Sequence, residues 1–226
     1  MDVSPRLLAL TQALADPLRL AVLHHLMGGA ATVSELMTVA GVEQSRLSNH
    51  LAMLRERDLV RTTRQGRHVI YELHDPAVAR LVEALGQIGG APERTVKSAP
   101  IARARTCYDH LAGRAGVAVF RALVTDGALK APKIVPGPVE LGAQAPRVFD
   151  KLGVDVDAVR HVRRHFATAC LDWTERQPHL GGALGAAVWG ELAGRGWIAR
   201  RPGTRAVAVT TAGARGLKRA LGVTLD

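Results

Sequence analysis

Three observations predict a mainly α-helical protein with small β wings: leucines at helical spacing between residues 7 and 54, two strand-like runs around a glycine turn at 59–73, and a self-match of the second half at an offset of 69 residues. The predicted arrangement is a winged helix-turn-helix over 1–90 and a linker over 91–100. A C-terminal domain over 101–226 then holds two pseudo-symmetric helix-plus-wing repeats, about 105–154 and 174–223. At 226 residues the chain can bury a separate core in each of two domains.

Leu7, Leu8, Leu10 and Leu14, then Leu18, Val22, Leu23 and Leu26, mark two helices, about 4–14 and 17–27, with Asp16-Pro17 as the start signal between them. Thr32 followed by Glu35 three residues on is a capping box that opens a short third helix, and Gly41 ends it. A fourth helix begins near Glu43 and turns Leu47, Leu51 and Leu54 inward. Residues 59–63 and 68–73 read as strands of a wing turning at Gln65-Gly66, and Asp75-Pro76 opens a fifth helix to about Ile88.

In the second half, the offset of 69 aligns His110 with His179, Gly116 with Gly185, Phe120 with Trp189, Leu123 with Leu192 and Gly127 with Gly196. It also aligns Leu152-Gly153-Val154 with Leu221-Gly222-Val223. Each copy reads as a long helix, a short hairpin (128–139 and 197–209, the second turning at Pro202-Gly203) and a closing helix, with a connecting helix over about 155–173.

Charge sets the two halves apart. The formal charge is +10, yet residues 1–90 hold 9 arginines against 9 acidic side chains, so the whole excess lies beyond residue 90. Overall basicity is therefore no argument for the helix-turn-helix binding nucleic acid. Hydrophobic content of 47% places the chain among globular proteins, and no apolar run is long enough for a membrane span. The N-terminus has no signal-peptide pattern, so the expected location is cytoplasmic and the expected state of both cysteines is reduced.

A recognition helix needs short polar side chains near its N-terminus for base edges and an apolar face for packing. Residues 43–51 meet both demands: Gln44, Ser45, Arg46, Ser48, Asn49 and His50 are the candidate DNA contacts, with Leu47 and Leu51 as anchors. Arg64 and Arg67 in the wing join the set, placed where phosphates would pass.

The stretches ALADPLRLAVLHHL and TVSELMTVAGVEQSRLSNHLAMLRERDLVRTTRQGRHVIYEL resemble the ArsR/SmtB family of dimeric winged-helix repressors over residues 5–88. The resemblance rests on Asp16-Pro17-x-Arg19, Ser48-x-His50-Leu51 and the Gly66-centred wing. It implies a homodimer joined through the first and fifth helices that binds double-stranded operator DNA and releases it when an effector binds. The family's usual metal ligands do not carry over. Glu35-Leu36-Met37-Thr38-Val39 holds no cysteine, and Asp75-Pro76-Ala77-Val78-Ala79-Arg80 lacks the acidic and histidine spacing.

Sensing is therefore expected in the C-terminal domain. Cys107 and His110 are spaced to share one side of a helix turn, and Cys170 and His179, brought from a facing helix, would complete a soft site. Asp109 and Asp172 are candidates for further ligands or for acceptors behind the ligands. Soft donors favour zinc, cadmium, mercury or arsenic as the bound species. Two thiols also admit a redox switch, and buried packing without a ligand is the plain alternative. The run Arg160-His161-Val162-Arg163-Arg164-His165 reads as a solvated face or a phosphate contact. No phosphate loop, GxSxG elbow or HExxH motif is present, which argues against an enzyme and leaves a regulator or a non-switching architectural DNA-binding protein.

Overall fold

The computed structural model describes residues 4–66, 68–89, 100–202 and 204–225. The chain forms two compact units, Met1–Ala91 and Pro92–Asp226. Arg67, Gly203 and linker residues 91–99 lie outside the described residues.

The first unit runs α1 (Pro5–Leu14), α2 (Pro17–Leu26), β1 (Ala31–Thr32), α3 (Val33–Ala40), α4 (Gln44–Glu56), β2 (Val60–Gln65), β3 (His68–Leu73) and α5 (Pro76–Gly89). Its boundaries follow local chemistry. Asp16 caps α2 by accepting from the Arg19 N–H at 2.9 Å, and Thr32 and Glu35 exchange both bonds of a capping box. Gly41 ends α3 in the left-handed region at φ 64°, which a side chain would resist. The sheet has the order β1-β3-β2, with Val60 opposite Leu73 and Gln65 opposite His68. Val22, Leu23, Leu36, Leu47, Leu51 and Leu54 fill the space between the helices.

A buried arginine ties α1 and α2 together. Arg19 donates from Nε to the Ala13 carbonyl and from Nη2 to the Gln12 carbonyl, which satisfies open carbonyls at the end of α1. Asp16 Oδ1 also lies 3.4 Å from His50 Nδ1, joining the α2 cap to α4. Replacing Asp16 with alanine should therefore cost about 1–2 kcal/mol, the upper range for a lost cap. Urea unfolding followed by circular dichroism would check this, and a change below a few tenths would show the cap to be dispensable.

The second unit runs α6 (Pro100–Arg103), β4 (Arg105–Cys107), β5 (His110–Ala112), α7 (Gly113–Thr125), β6 (Gly137–Pro138), α8 (Ala145–Leu152) and α9 (Val156–Arg160). It continues with β7 (Thr168–Leu171), β8 (Pro178–Gly181), α10 (Gly182–Gly194), β9 (Ile198–Arg200), β10 (Val207–Val209) and α11 (Thr211–Leu221). Phe120, Leu123, Phe149, Leu184, Leu192 and Leu217 form its core. The helices α7 and α10 are both 13 residues long and start at Gly113 and Gly182, each at positive φ (75° and 79°). α7 packs on β8 and α10 on β5, so each long helix lies over the other's hairpin. A Cβ at Gly116 would stand 2.4 Å from the Leu111 carbonyl oxygen, and one at Gly185 2.4 Å from that of Leu180. Glycine is what lets each helix approach its own strand so closely.

Two expectations need correcting. The connecting helix expected over 155–173 stops at Arg160, because Thr168–Leu171 is drawn into a three-stranded sheet of order β6-β7-β8. Bonding on both edges outweighs helical spacing there. The hairpin expected over 128–139 reduces to a single bridge between Leu129 and Leu141, since Gly137 and Pro138 pair with β7 instead.

Candidate DNA-reading face and cysteine–histidine cluster

On α4, the burial of Leu47, Leu51 and Leu54 turns Gln44, Ser45, Arg46, Ser48 and Asn49 to solvent. Ser48 Oγ donates to the Gln44 carbonyl at 2.8 Å, so its lone pairs are the part left to face outward. His50 stands apart from this exposed group. Its side chain is 19% exposed, with Nδ1 3.4 Å from both Asp16 Oδ1 and Arg19 Nη1. Arg64 is exposed on β2, one step from the wing turn, where Gly66 takes φ 59°.

The second cluster is buried. The donor atoms of Cys107, His110 and His179 all lie within 4.8 Å of one another, and the two imidazoles stack with centroids 5.2 Å apart. The expected placement of Cys107 and His110 on one helix turn is incorrect. They face each other across the β4–β5 hairpin, whose two-residue turn puts Tyr108 at φ 61°. Cys170 and His179 face each other in the same way across β7 and β8. Two hairpins, rather than two helices, thus carry the four residues.

Gly181 connects Cys170 to the rest. A Cβ there would lie 2.7 Å from Cys170 Sγ and 3.2 Å from both Cε1 and Nε2 of His110. The thiol and the His110 ring therefore border one small space that any larger residue would fill.

A carboxylate stands behind each imidazole. Asp109 Oδ1 is 3.3 Å from His110 Nδ1 and is itself gripped by Arg164. Burial works against ionising Asp109, but the Arg164 and His110 bonds outweigh it and hold the carboxyl below its usual range. Asp172 Oδ2 is 3.6 Å from His179 Nδ1 and accepts from Arg105 Nη2 at 2.9 Å and from the Gly113 N–H at 2.7 Å. Its Oδ1 accepts from Thr174 N and Oγ1 and from Glu175 N. Burial opposes this charge too, yet Arg105, His179 and the hydrogen bonds keep Asp172 far below the carboxylate range. For His179, burial is the largest influence and, with His110 and Arg105 nearby, pushes the ring down to about 3 against the pull of Asp172. The imidazole is neutral at physiological pH, the form that binds metal. Neither ring nitrogen of His179 has a hydrogen-bond partner among the described residues.

Arg105 is the buried residue behind the cluster that motif spacing does not disclose. It is fully buried, holds Asp172, donates to Thr174 Oγ1 at 3.1 Å and lies over the Trp173 ring at 4.8 Å. No local signal marks it, since Arg103 two residues earlier is of the same type and lies exposed.

Residues 16–62 match the model of the bacterial regulatory protein, arsR family. The HTH-type transcriptional regulator YdfF of Bacillus subtilis (strain 168) is 37% identical over 219 residues, spanning 93% of this chain and 95% of the relative. A probable mercury resistance operon repressor of Streptomyces lividans is 41% identical over 71 residues, 31% of this chain and 57% of its own length. Among solved structures, the homodimeric winged helix-turn-helix DNA-binding domain Mb0332 of Mycobacterium bovis is 27% identical. It covers 39% of this chain and 87% of that one, at a TM-score of 0.35.

Proposed function

Because the chain belongs to the arsR family of bacterial regulatory proteins, which are DNA-binding transcriptional regulators and not enzymes, we propose that it is a repressor controlled from its second unit. In this reading it holds double-stranded operator DNA through Gln44, Ser45, Arg46, Ser48, Asn49, Arg64 and Arg67. His50 supports them by fixing α4 to the capped start of α2. It releases the DNA when a thiophilic metal ion binds Cys107, His110, Cys170 and His179.

One observation carries the effector assignment: a thiol sulfur and two imidazole nitrogens within 4.8 Å of one another in a buried place, one from a neutral imidazole with no hydrogen-bond partner among the described residues. A buried polar group left so is costly, and coordination is what a ring nitrogen beside thiols is suited to. The donor set fits a soft ion, with two thiols and two imidazoles, of which the His110 ring is oriented by Asp109. A bound ion supplies bonds to four side chains from two hairpins. The Streptomyces relative, by its name a mercury resistance operon repressor, is consistent with this chemistry. Leu7 and Leu8 on α1, with Leu81, Leu85 and Ile88 on α5, expose apolar surface suited to a second copy of the chain. No helix among the described residues is long and apolar enough to cross a membrane.

The test is fluorescence anisotropy of a labelled promoter fragment with reduced full-length protein, titrated with Zn²⁺, Cd²⁺, Hg²⁺ and arsenite. At least one should weaken binding by about 5–150-fold, the usual range of a coupling free energy. Unchanged affinity with all four would overturn the metal reading, and release by diamide alone would move the assignment to a Cys107–Cys170 disulfide.

A further inference from the structure

Away from the cysteine–histidine cluster, the second unit holds a cavity of about 410 Å³. It is bounded by α6, the first turns of α7 and α11, the β9–β10 hairpin and the C-terminal tail. None of the four cluster residues lines it. Three arginines from three separate elements reach it: Arg103 at the end of α6, Arg114 in the first turn of α7, and Arg201 just after β9. Ala104, Ala115, Val207, Val209 and Leu225 supply an apolar floor, and none of the described lining residues is an aspartate or glutamate. The geometry points to a binding site for a small amphipathic organic anion, with one acidic headgroup on an apolar body.

The size is that of a small-molecule pocket, in which a few polar groups over apolar walls set orientation. Three arginines lining one concavity make it positive, and an anion held by paired N–H donors complements it. Neither Arg103 nor Arg201 has a carboxylate partner among the described residues. At the offset of 69 that relates α7 to α10, Arg114 corresponds to Ala183, so a helix of this length and start does not require an arginine there. The site also gives a role to part of the positive charge concentrated beyond residue 90.

The test uses full-length protein and isothermal titration calorimetry with octanoate, octyl phosphate and 1-octanol. One or both anions should bind one to one, and 1-octanol at least tenfold more weakly. Arg114→Ala/Arg201→Ala should weaken anion binding at least tenfold while leaving the far-ultraviolet circular dichroism and melting temperature in place. Arg163→Ala, an exposed arginine outside the cavity, should leave anion binding unchanged. Absence of anion binding, equal binding of 1-octanol, or a double variant that binds as tightly as the parent would each overturn the inference. So would a double variant whose only defect is weaker duplex DNA binding with a reduced salt dependence, since the arginines would then be phosphate contacts.

Discussion

Replacing Arg105 with methionine should destabilise the second unit by about 3–5 kcal/mol, the range for removing one partner of a buried ion pair. Arg105 and Asp172 are 1% and 0% exposed at the side chain and 2.9 Å apart. Methionine fills much of the volume but leaves a carboxylate in the core facing only the Gly113, Thr174 and Glu175 donors and the neutral His179 ring. The loss reaches further than one pair. Arg105 also donates to the Ile101 carbonyl at 3.4 Å, so α6 and the loop after β7 lose a shared tie. All three tryptophans, Trp173, Trp189 and Trp197, lie in this unit, so denaturant unfolding followed by tryptophan fluorescence reports on it alone. Adding Asp172→Asn should recover part of the loss, because a neutral amide is cheaper to leave unpaired than a charge. A change below about 1 kcal/mol in Arg105→Met would mean that water reaches Asp172 and that the network is not the rigid support described above.

Exchanging both cysteines for serine should lower the affinity for Cd²⁺ by at least about 100-fold, since a hydroxyl stays protonated and offers a hard oxygen where a soft thiolate stood. The metal-free variant should bind promoter DNA as the parent does, because both cysteines lie in the second unit and the candidate DNA contacts in the first. The readout is sulfur-to-metal charge-transfer absorbance in competition with a chelator of known affinity, together with the anisotropy of a labelled promoter fragment. Full Cd²⁺ affinity in the variant would leave the cysteines as packing residues and remove the main support for the metal reading.

The winged helix was legible because its signals are local. Asp16-Pro17, the Thr32–Glu35 box, Gly41 and the spacing of Leu47, Leu51 and Leu54 each act within one or two helical turns, and the observed boundaries fall within about two residues of those expected. The chemistry of the second unit was half legible. Cys107, His110, Cys170 and His179 stand out as residue types, but Cys-Tyr-Asp-His is as compatible with a helix turn as with a hairpin. What decides for the hairpin is Tyr108 in the left-handed region and the pairing of Arg105 with Ala112. The second hairpin lies at the end of an expected helix and was hidden for the same reason, as its strand bonds are made to residues about ten positions away in one direction and about thirty in the other.

By itself the sequence determined where helices begin and end, which face of each is apolar, which side chains α4 offers to solvent, and that the charge excess lies beyond residue 90. It could not determine which buried faces meet. Periodicity reports that a face avoids water but not what covers it, because the hydrophobic effect has no direction. Only the tertiary structure decided that β5 and β8, about seventy residues apart, meet, that His110 and His179 stack, and that the arginine at 105 neutralises the aspartate at 172. Those contacts follow from competition among many pairings for burial and for backbone hydrogen bonds, and that competition is settled by the whole folded unit rather than by any segment of it.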